Sequence, residues 1–299
     1  MPSPFSQTAA TPILRVGPSG WDYPHWESVV YPRPRPRGFH PLEFLASRFD
    51  TVEISQSFRE AVRPELAKLW AVKTGHNRQF QFTARLDRLF SHERILEPAR
   101  IAEWSAGLRP LLEMGKLGCV VMQFPSSFRF TAENKDFLIR LRRTFHEFPL
   151  TAELRHVSWT VPEAVGTLID YHVGFCNIDQ PPTVRSTPPT SLLTWRVGYV
   201  KLHGRVTGAA HDAFDDRAER NSGNDYLYSL AELGDWKARI EKILPFSQST
   251  FVIFNNDMNG KSVVNGLQMQ GLMRQPSYRI AKPSDRAESA GQAALFQAA

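Results

Sequence analysis

Eight short apolar runs recur along the chain, and each ends in a polar, charged or small residue. Val16 leads to Gly17, Ser19 and Gly20, and Val52 leads to Glu53 and Ser55. Phe80–Phe82 leads to Arg85, Val120–Met122 to Gln123, and Leu150–Ala152 to Glu153 and Arg155. Val173–Ile178 leads to Asp179, Val197–Val200 to Lys201 and His203, and Phe251–Phe254 to Asn255 and Asn256. The runs are too short for helices and near-continuously apolar, as parallel strands covered on both faces are.

The stretches between them carry helical spacing. Ile101, Trp104, Leu108, Leu111 and Leu112 place one apolar face on a helix over about Arg100–Met114. Further helices are predicted over about Pro41–Arg48, Pro64–Lys73, Tyr226–Leu244 and Ser262–Met273. Thr131 reads as the N-cap of a helix reaching about Phe145. Thr160 reads as the cap of another that carries Pro162 in its first turn. Strand and helix thus alternate eight times in 299 residues, with no glycine-rich dinucleotide fingerprint. This favours a single α/β domain, a (β/α)8 TIM-type barrel over 12–281, above an open doubly wound sheet. The ends, 1–11 and 282–299, are polar or small-residue-rich and read as disordered tails.

Composition narrows the setting. The only two cysteines, Cys119 and Cys176, lie inside apolar runs and read as buried thiols, which fits a reducing, cytoplasmic compartment. No signal peptide and no run long enough to span a membrane is expected. The net charge of +6 permits an anionic small molecule or nucleic acid as partner. The stretch Tyr31–Gly38 is Pro- and Arg-rich and reads as a stiff connector. Gly204–Asp225 reads as a lid or a solvated insertion, and Gln180–Ser191 as a Pro/Ser/Thr-rich loop.

In a parallel barrel the strand ends meet at one rim, where chemistry sits. Charged residues inside apolar strands are costly on the helix-facing side, so they are expected to point into the upper barrel. This gives a polar basin of Glu53, Arg85, Gln123, Glu153, Arg155, Asp179, Lys201, His203 and Asn255, with Ser55 on the same strand face as Glu53. Glu53 and Glu153 are the candidate acid and base, provided that their environments push their pKa values apart, and His203 is the candidate proton shuttle. His92 and His156, just past their strands, are candidates to join from above. Lys201, Asn255 and Asn256 follow the last two strands, where barrels often hold phosphate. Trp21 and Tyr23, with Trp26, Tyr31 and Phe58, either stack on a sugar or base or plug the mouth. The competing expectation is a purely structural network in which Glu53 pairs with Arg85 and Glu153 with Lys201. A divalent metal on Glu53, Glu153, Asp179 and His203 is a further alternative, suited to magnesium or manganese. The cofactor is otherwise open.

Several motifs are longer than chance. Gly17-Pro-Ser-Gly-Trp-Asp-Tyr-Pro-His-Trp26 and Tyr31-Pro32 are followed by Phe49-Asp-Thr-Val-Glu-Ile-Ser55 with Phe58, and by Ser91-His92. Then come Gln123-Phe-Pro-Ser-Ser-Phe128, Glu153-Leu-Arg-His-Val-Ser-Trp159, Lys201-Leu-His-Gly204 and Phe254-Asn-Asn256. Over about Leu14–Leu272 the chain resembles the family of unknown function numbered 72, DUF72, also called YecE-like. The resemblance implies a TIM-type barrel and supplies no activity. Against the family pattern, Lys201 replaces the usual arginine, Arg85 stands where lysine is usual, and Arg59 follows Phe58 where tyrosine is common.

Near the end, Gln292-Ala-Ala-Leu-Phe296 resembles the short peptide by which bacterial replication and repair proteins grip the sliding clamp. Gln292, Leu295 and Phe296 are the candidate partner-binding residues, and Leu295 and Phe296 are the only large apolar residues after Ile280. Two functions follow as expectations. One is an enzyme with hydrolase or lyase acid–base chemistry on a phosphate- or sugar-containing substrate, nucleic-acid fragments included. The other is a non-catalytic nucleic-acid or protein-binding module recruited to the clamp.

Overall fold

The computed structural model describes residues 12–205, 225–274 and 279–280. The expected tails, most of the Gly204–Asp225 loop and the Gln292, Leu295 and Phe296 peptide lie outside the described residues.

Eight parallel strands form the barrel: β1 Ile13–Pro18, β2 Thr51–Ile54, β3 Gln81–Arg85, β4 Leu117–Gln123, β5 Leu150–Glu153, β6 Gly174–Asp179, β7 Val197–Leu202 and β8 Ser249–Phe254. From β2 onward each pairs with the next, and β8 pairs with β1. The seam between β1 and β2 closes by a parallel bridge of Ser19 with Glu53 and a 2.8 Å hydrogen bond from Gly20 N to Glu53 O. Gly17 makes that closure possible. A Cβ there would lie 1.8 Å from Thr51 O, so only a residue without a side chain fits. A two-residue strand, β9 Arg279–Ile280, pairs with the start of β1. The predicted closed barrel is therefore the fold.

The outer layer consists of α1 Pro41–Ala46, α2 Pro64–Lys73, α3 Arg88–Ser91, α4 Pro98–Glu113, α5 Ala132–Thr144, α6 Pro162–Asp170, α7 Leu230–Ile243 and α8 Lys261–Met273. Of these, α1, α2, α4 and α6 carry proline in the first turn, where the missing N–H had no partner and φ is already helical. Thr131 caps α5 as predicted, accepting from Asn134 N. Thr160 does not cap α6; Val161 holds that position, and the Thr160 hydroxyl donates back to Val157 O. A capping box of Ser229 and Glu232 starts α7 later than the predicted Tyr226. The short α3 and β9 have too few residues to leave a periodic signal.

Alternation along the strands sorts the core into two layers. Val52, Ile54, Phe82, Ala84, Val120, Met122, Leu150 and Ala152 pack outward against the helices. Cys119, Val121, Cys176, Ile178, Tyr199, Phe251 and Ile253 fill the barrel interior. Both cysteines are fully buried and free. No helix among the described residues is long and apolar enough to cross a membrane.

Candidate functional site

The interior parity of β2, β3, β5 and β7 carries Glu53, Arg85, Glu153 and Lys201 above the apolar floor of the barrel. Arg155 and His203 follow two residues on from Glu153 and Lys201. They meet in one cluster. Lys201 Nζ lies 2.9 Å from Glu53 Oε1 and 3.3 Å from Glu153 Oε2. Glu53 Oε1 also accepts from the Ser19 hydroxyl at 2.7 Å and lies 3.4 Å from Arg85 Nε, while Oε2 accepts from the Tyr199 hydroxyl at 2.9 Å. Glu153 Oε1 takes Arg155 through Nε at 2.9 Å and Nη2 at 2.8 Å, and meets His203 Nε2 at 3.0 Å. Glu53, Glu153 and Lys201 are each 0% exposed, and Arg85, Arg155 and His203 are 5% or less. Gln123 Oε1 accepts from Arg85 Nη1 at 3.3 Å, and the Arg85 guanidinium sits 4.9 Å over the Phe58 ring.

The electrostatics correct one expectation. Burial pushes both carboxyls up, but the cations overcome it. Lys201 and Arg85 hold Glu53 below its ordinary value, and Lys201 and Arg155, with the hydrogen bond from His203, hold Glu153 well below its own. The two are therefore not pushed apart into an acid and a base; both are carboxylates at neutral pH. Burial lowers His203, with Glu153 opposing, so the imidazole is neutral. Asn255 Nδ2 lies 3.1 Å from His203 Nδ1 and donates to it, which leaves the ring proton on Nε2, facing Glu153. The pairs named by the structural alternative, Glu53 with Arg85 and Glu153 with Lys201, both exist, but within a larger network.

Several predicted members sit elsewhere. Asp179 follows inward-facing Ile178 and so points outward. There it accepts from Trp236 Nε1 of α7 at 3.1 Å and from Arg205 Nε at 3.0 Å. Asn256 likewise turns outward and donates to Tyr226 O and Asn265 Oδ1, both at 2.8 Å, fastening α8. Trp21 packs edge-on against Trp70 of α2 at 5.0 Å, in the helix-facing layer, so it is core and not a stacking platform. Trp26 Nε1 donates to Asp257 O at 2.7 Å, which ties the first loop to the segment after β8, and Tyr31 donates to Trp21 O within that loop. Tyr23 remains at the rim, its hydroxyl on Ser19 O at 2.9 Å and bonded to Ser55. His92 is half-buried, with Nδ1 on the Ser91 hydroxyl at 2.9 Å and its ring edge against Phe58.

The donor set does not suit the divalent metal. Lys201 already places a cation between the two carboxylates. Asp179 faces away, and among the described residues no group of three His, Cys, Asp or Glu side chains is placed to hold an ion.

Beside Arg155 a cleft of about 580 Å3 opens at the rim, lined also by Ser126, Ser127, Arg129, His156, Gln180 and Arg185. His156, expected to join the basin from above, lines this cleft. Tyr199 and Ser19, which hold Glu53, and Arg129 and Arg185 were not expected from the sequence. Tyr199 shares strand parity with Lys201, a signal present in the sequence; an arginine in a loop leaves none.

Comparison with known proteins agrees with this architecture. The family described as "Protein of unknown function DUF72" matches residues 15–289. The UPF0759 protein YunF of Bacillus subtilis (strain 168) is 26% identical over 272 residues, 87% of this chain and 95% of that protein. A DUF72 family crystal structure from Thermotoga maritima is 26% identical, with a TM-score of 0.70 over 88% of this chain and 100% of that one. One from Enterococcus faecalis, 24% identical, reaches a TM-score of 0.75 over 91% of this chain and 99% of its own. With its barrel, its motifs and a match over nearly its whole length, the chain belongs to the DUF72 family.

Proposed function

We propose that the protein is an enzyme that binds an anionic, phosphate- or sugar-bearing substrate at the barrel rim and cleaves it by acid–base chemistry, as a hydrolase or lyase does. One observation carries the reading. A rim cleft lined by Arg129, Arg185 and the buried Arg155 adjoins two buried carboxylates, Glu53 and Glu153, that share the Lys201 ammonium. Arg129 and Arg185 have no carboxylate partner among the described residues, and a bound anion supplies one. Glu153 is the base, the neutral His203 orients it through its Nε2–H, Lys201 and Arg155 stabilise charge developing on the substrate, and Glu53 holds Lys201 in place. Both thiols are buried and free, which fits the cytoplasm.

A second reading is a non-catalytic module recruited to the sliding clamp through Gln292, Leu295 and Phe296. It draws on the complete burial of the ion-paired charges, which a structural plug would share. Assaying the full chain on p-nitrophenyl phosphates and glycosides and on short oligonucleotides separates the two. The enzyme reading expects turnover of at least one class, lost in Glu153→Gln with an unchanged circular dichroism spectrum. Absence of turnover in the wild type, or full activity in the variant, overturns it.

A further inference from the structure

Three loops build the cleft beside Arg155, and they lock on one another. The loop after β4 supplies Arg129, the segment after β5 supplies Arg155 and His156, and the loop after β6 supplies Arg185. His156 and Ser186 form an antiparallel bridge. Val157 N donates to Arg185 O at 2.9 Å, and Thr187 N donates to Arg155 O at 2.8 Å. Phe130 N donates to the Ser158 hydroxyl and Trp159 Nε1 to Phe128 O, both at 2.8 Å. The backbone bearing the three arginines is thus fixed before any ligand arrives, which lowers the ordering cost of binding.

Arg129 and Arg185 are exposed, and neither is paired with a carboxylate among the described residues. His156 Nδ1 accepts from Ser158 N at 3.2 Å and meets the Ser158 hydroxyl at 2.9 Å, so the ring proton sits on Nε2. Nε2 is buried and has no hydrogen-bond partner among the described residues. Burial, then Arg129 and Arg185, hold this imidazole below its ordinary pKa. An uncharged N–H donor flanked by two free guanidinium groups suits a phosphate dianion. The cleft volume of about 580 Å3 falls in the range of small-molecule sites. Its lining includes Ser126, Ser127 and Thr183 but no Phe, Tyr or Trp among the described residues. It therefore offers hydroxyl contacts and no large ring on which a base would stack.

The geometry points to this cleft as the phosphate-holding subsite for a phosphorylated sugar, with Arg129, Arg185 and His156 on the phosphate and Arg155 between it and Glu153. This deepens the proposed function and rests on its anion-binding rim. Calorimetric titration of the full chain with ribose 5-phosphate, ribose, adenosine monophosphate and inorganic phosphate tests it. Ribose 5-phosphate and inorganic phosphate are expected to bind, ribose is not, and the nucleotide gains nothing over the sugar phosphate. Arg129→Ala with Arg185→Ala weakens ribose 5-phosphate binding by roughly tenfold or more, with circular dichroism unchanged. In nitrogen-15 spectra the His156 imidazole titrates at higher pH once phosphate is bound. Wild-type affinity in the double variant overturns the subsite and leaves the anion-binding rim standing. Tighter binding of the nucleotide overturns the sugar-phosphate assignment. No heat from either phosphate compound in the wild type overturns both the subsite and the reading on which it rests.

Discussion

Replacing Lys201 by Met removes the cation that both buried carboxylates contact. Its Nζ lies 2.9 Å from Glu53 and 3.3 Å from Glu153, and all three side chains are wholly buried. At an effective dielectric constant of about 20, each contact carries about 5 kcal/mol of Coulombic attraction. In the wild type most of that is offset by the cost of taking three charges out of water. The variant keeps the cost of burying the carboxylates and loses the cation, and breaking a buried pair in this way costs about 3–5 kcal/mol. Arg85 remains on Glu53, and Arg155 and His203 remain on Glu153, so the low end, about 3 kcal/mol, is expected. A domain stable by about 5–15 kcal/mol still folds after such a loss. The pH dependence then changes sign. In the wild type, Glu153 is held well below its ordinary value, so its stabilisation is complete above that value and fades as pH falls through the lowered one. Without Lys201, burial dominates and at least one carboxyl rises above its ordinary value, so acid stabilises the variant. Urea denaturation of both proteins at pH 8 and pH 5 should therefore show a deficit of about 3 kcal/mol that shrinks on acidification. A deficit under about 0.5 kcal/mol at pH 8, or one that grows toward pH 5, refutes the reasoning.

Asp50, at the foot of β2, is buried, and burial pushes its carboxyl up to about 6 against the hydrogen bond from Asn77 and the charge of Arg15. The native state therefore holds this proton longer than the unfolded chain, and stability falls by about 3 kcal/mol as pH rises from about 4 to above 6. In Asp50→Asn that contribution disappears, so urea midpoints across this window should fall less than in the wild type; equal slopes would remove the assignment. Gly17→Ala forces a Cβ to within 1.8 Å of Thr51 O, so β1 must part from β2. A loss of about 4 kcal/mol is expected, read as a fall in melting temperature of about 10 °C, and an unchanged melting temperature contradicts the closure described.

The barrel was legible because its strands are apolar on both faces and its helices carry apolar stripes and first-turn prolines. The basin was legible at Glu53, Glu153, Arg155, Lys201 and His203, since charge within an apolar strand must find partners inside the barrel. The same reading failed at Asp179 and Asn256. A strand apolar on both faces gives no parity, and these two residues found polar partners on the helix side instead, Trp236 for one and Asn265 for the other. Trp21 misled for a related reason: an aromatic ring beside a strand end looks the same in sequence whether it lines a mouth or packs against Trp70. Arg129 and Arg185 belong to loops whose mutual pairing no periodicity encodes.

The central claim is that the rim holds an anion in the arginine-lined cleft beside Arg155. Soaking crystals of the full chain in tungstate and locating the ion by anomalous scattering tests it directly. The expected result is an anion at the barrel mouth in contact with Arg155. Tungstate found only away from the mouth, with the Arg155 cleft empty, would contradict it.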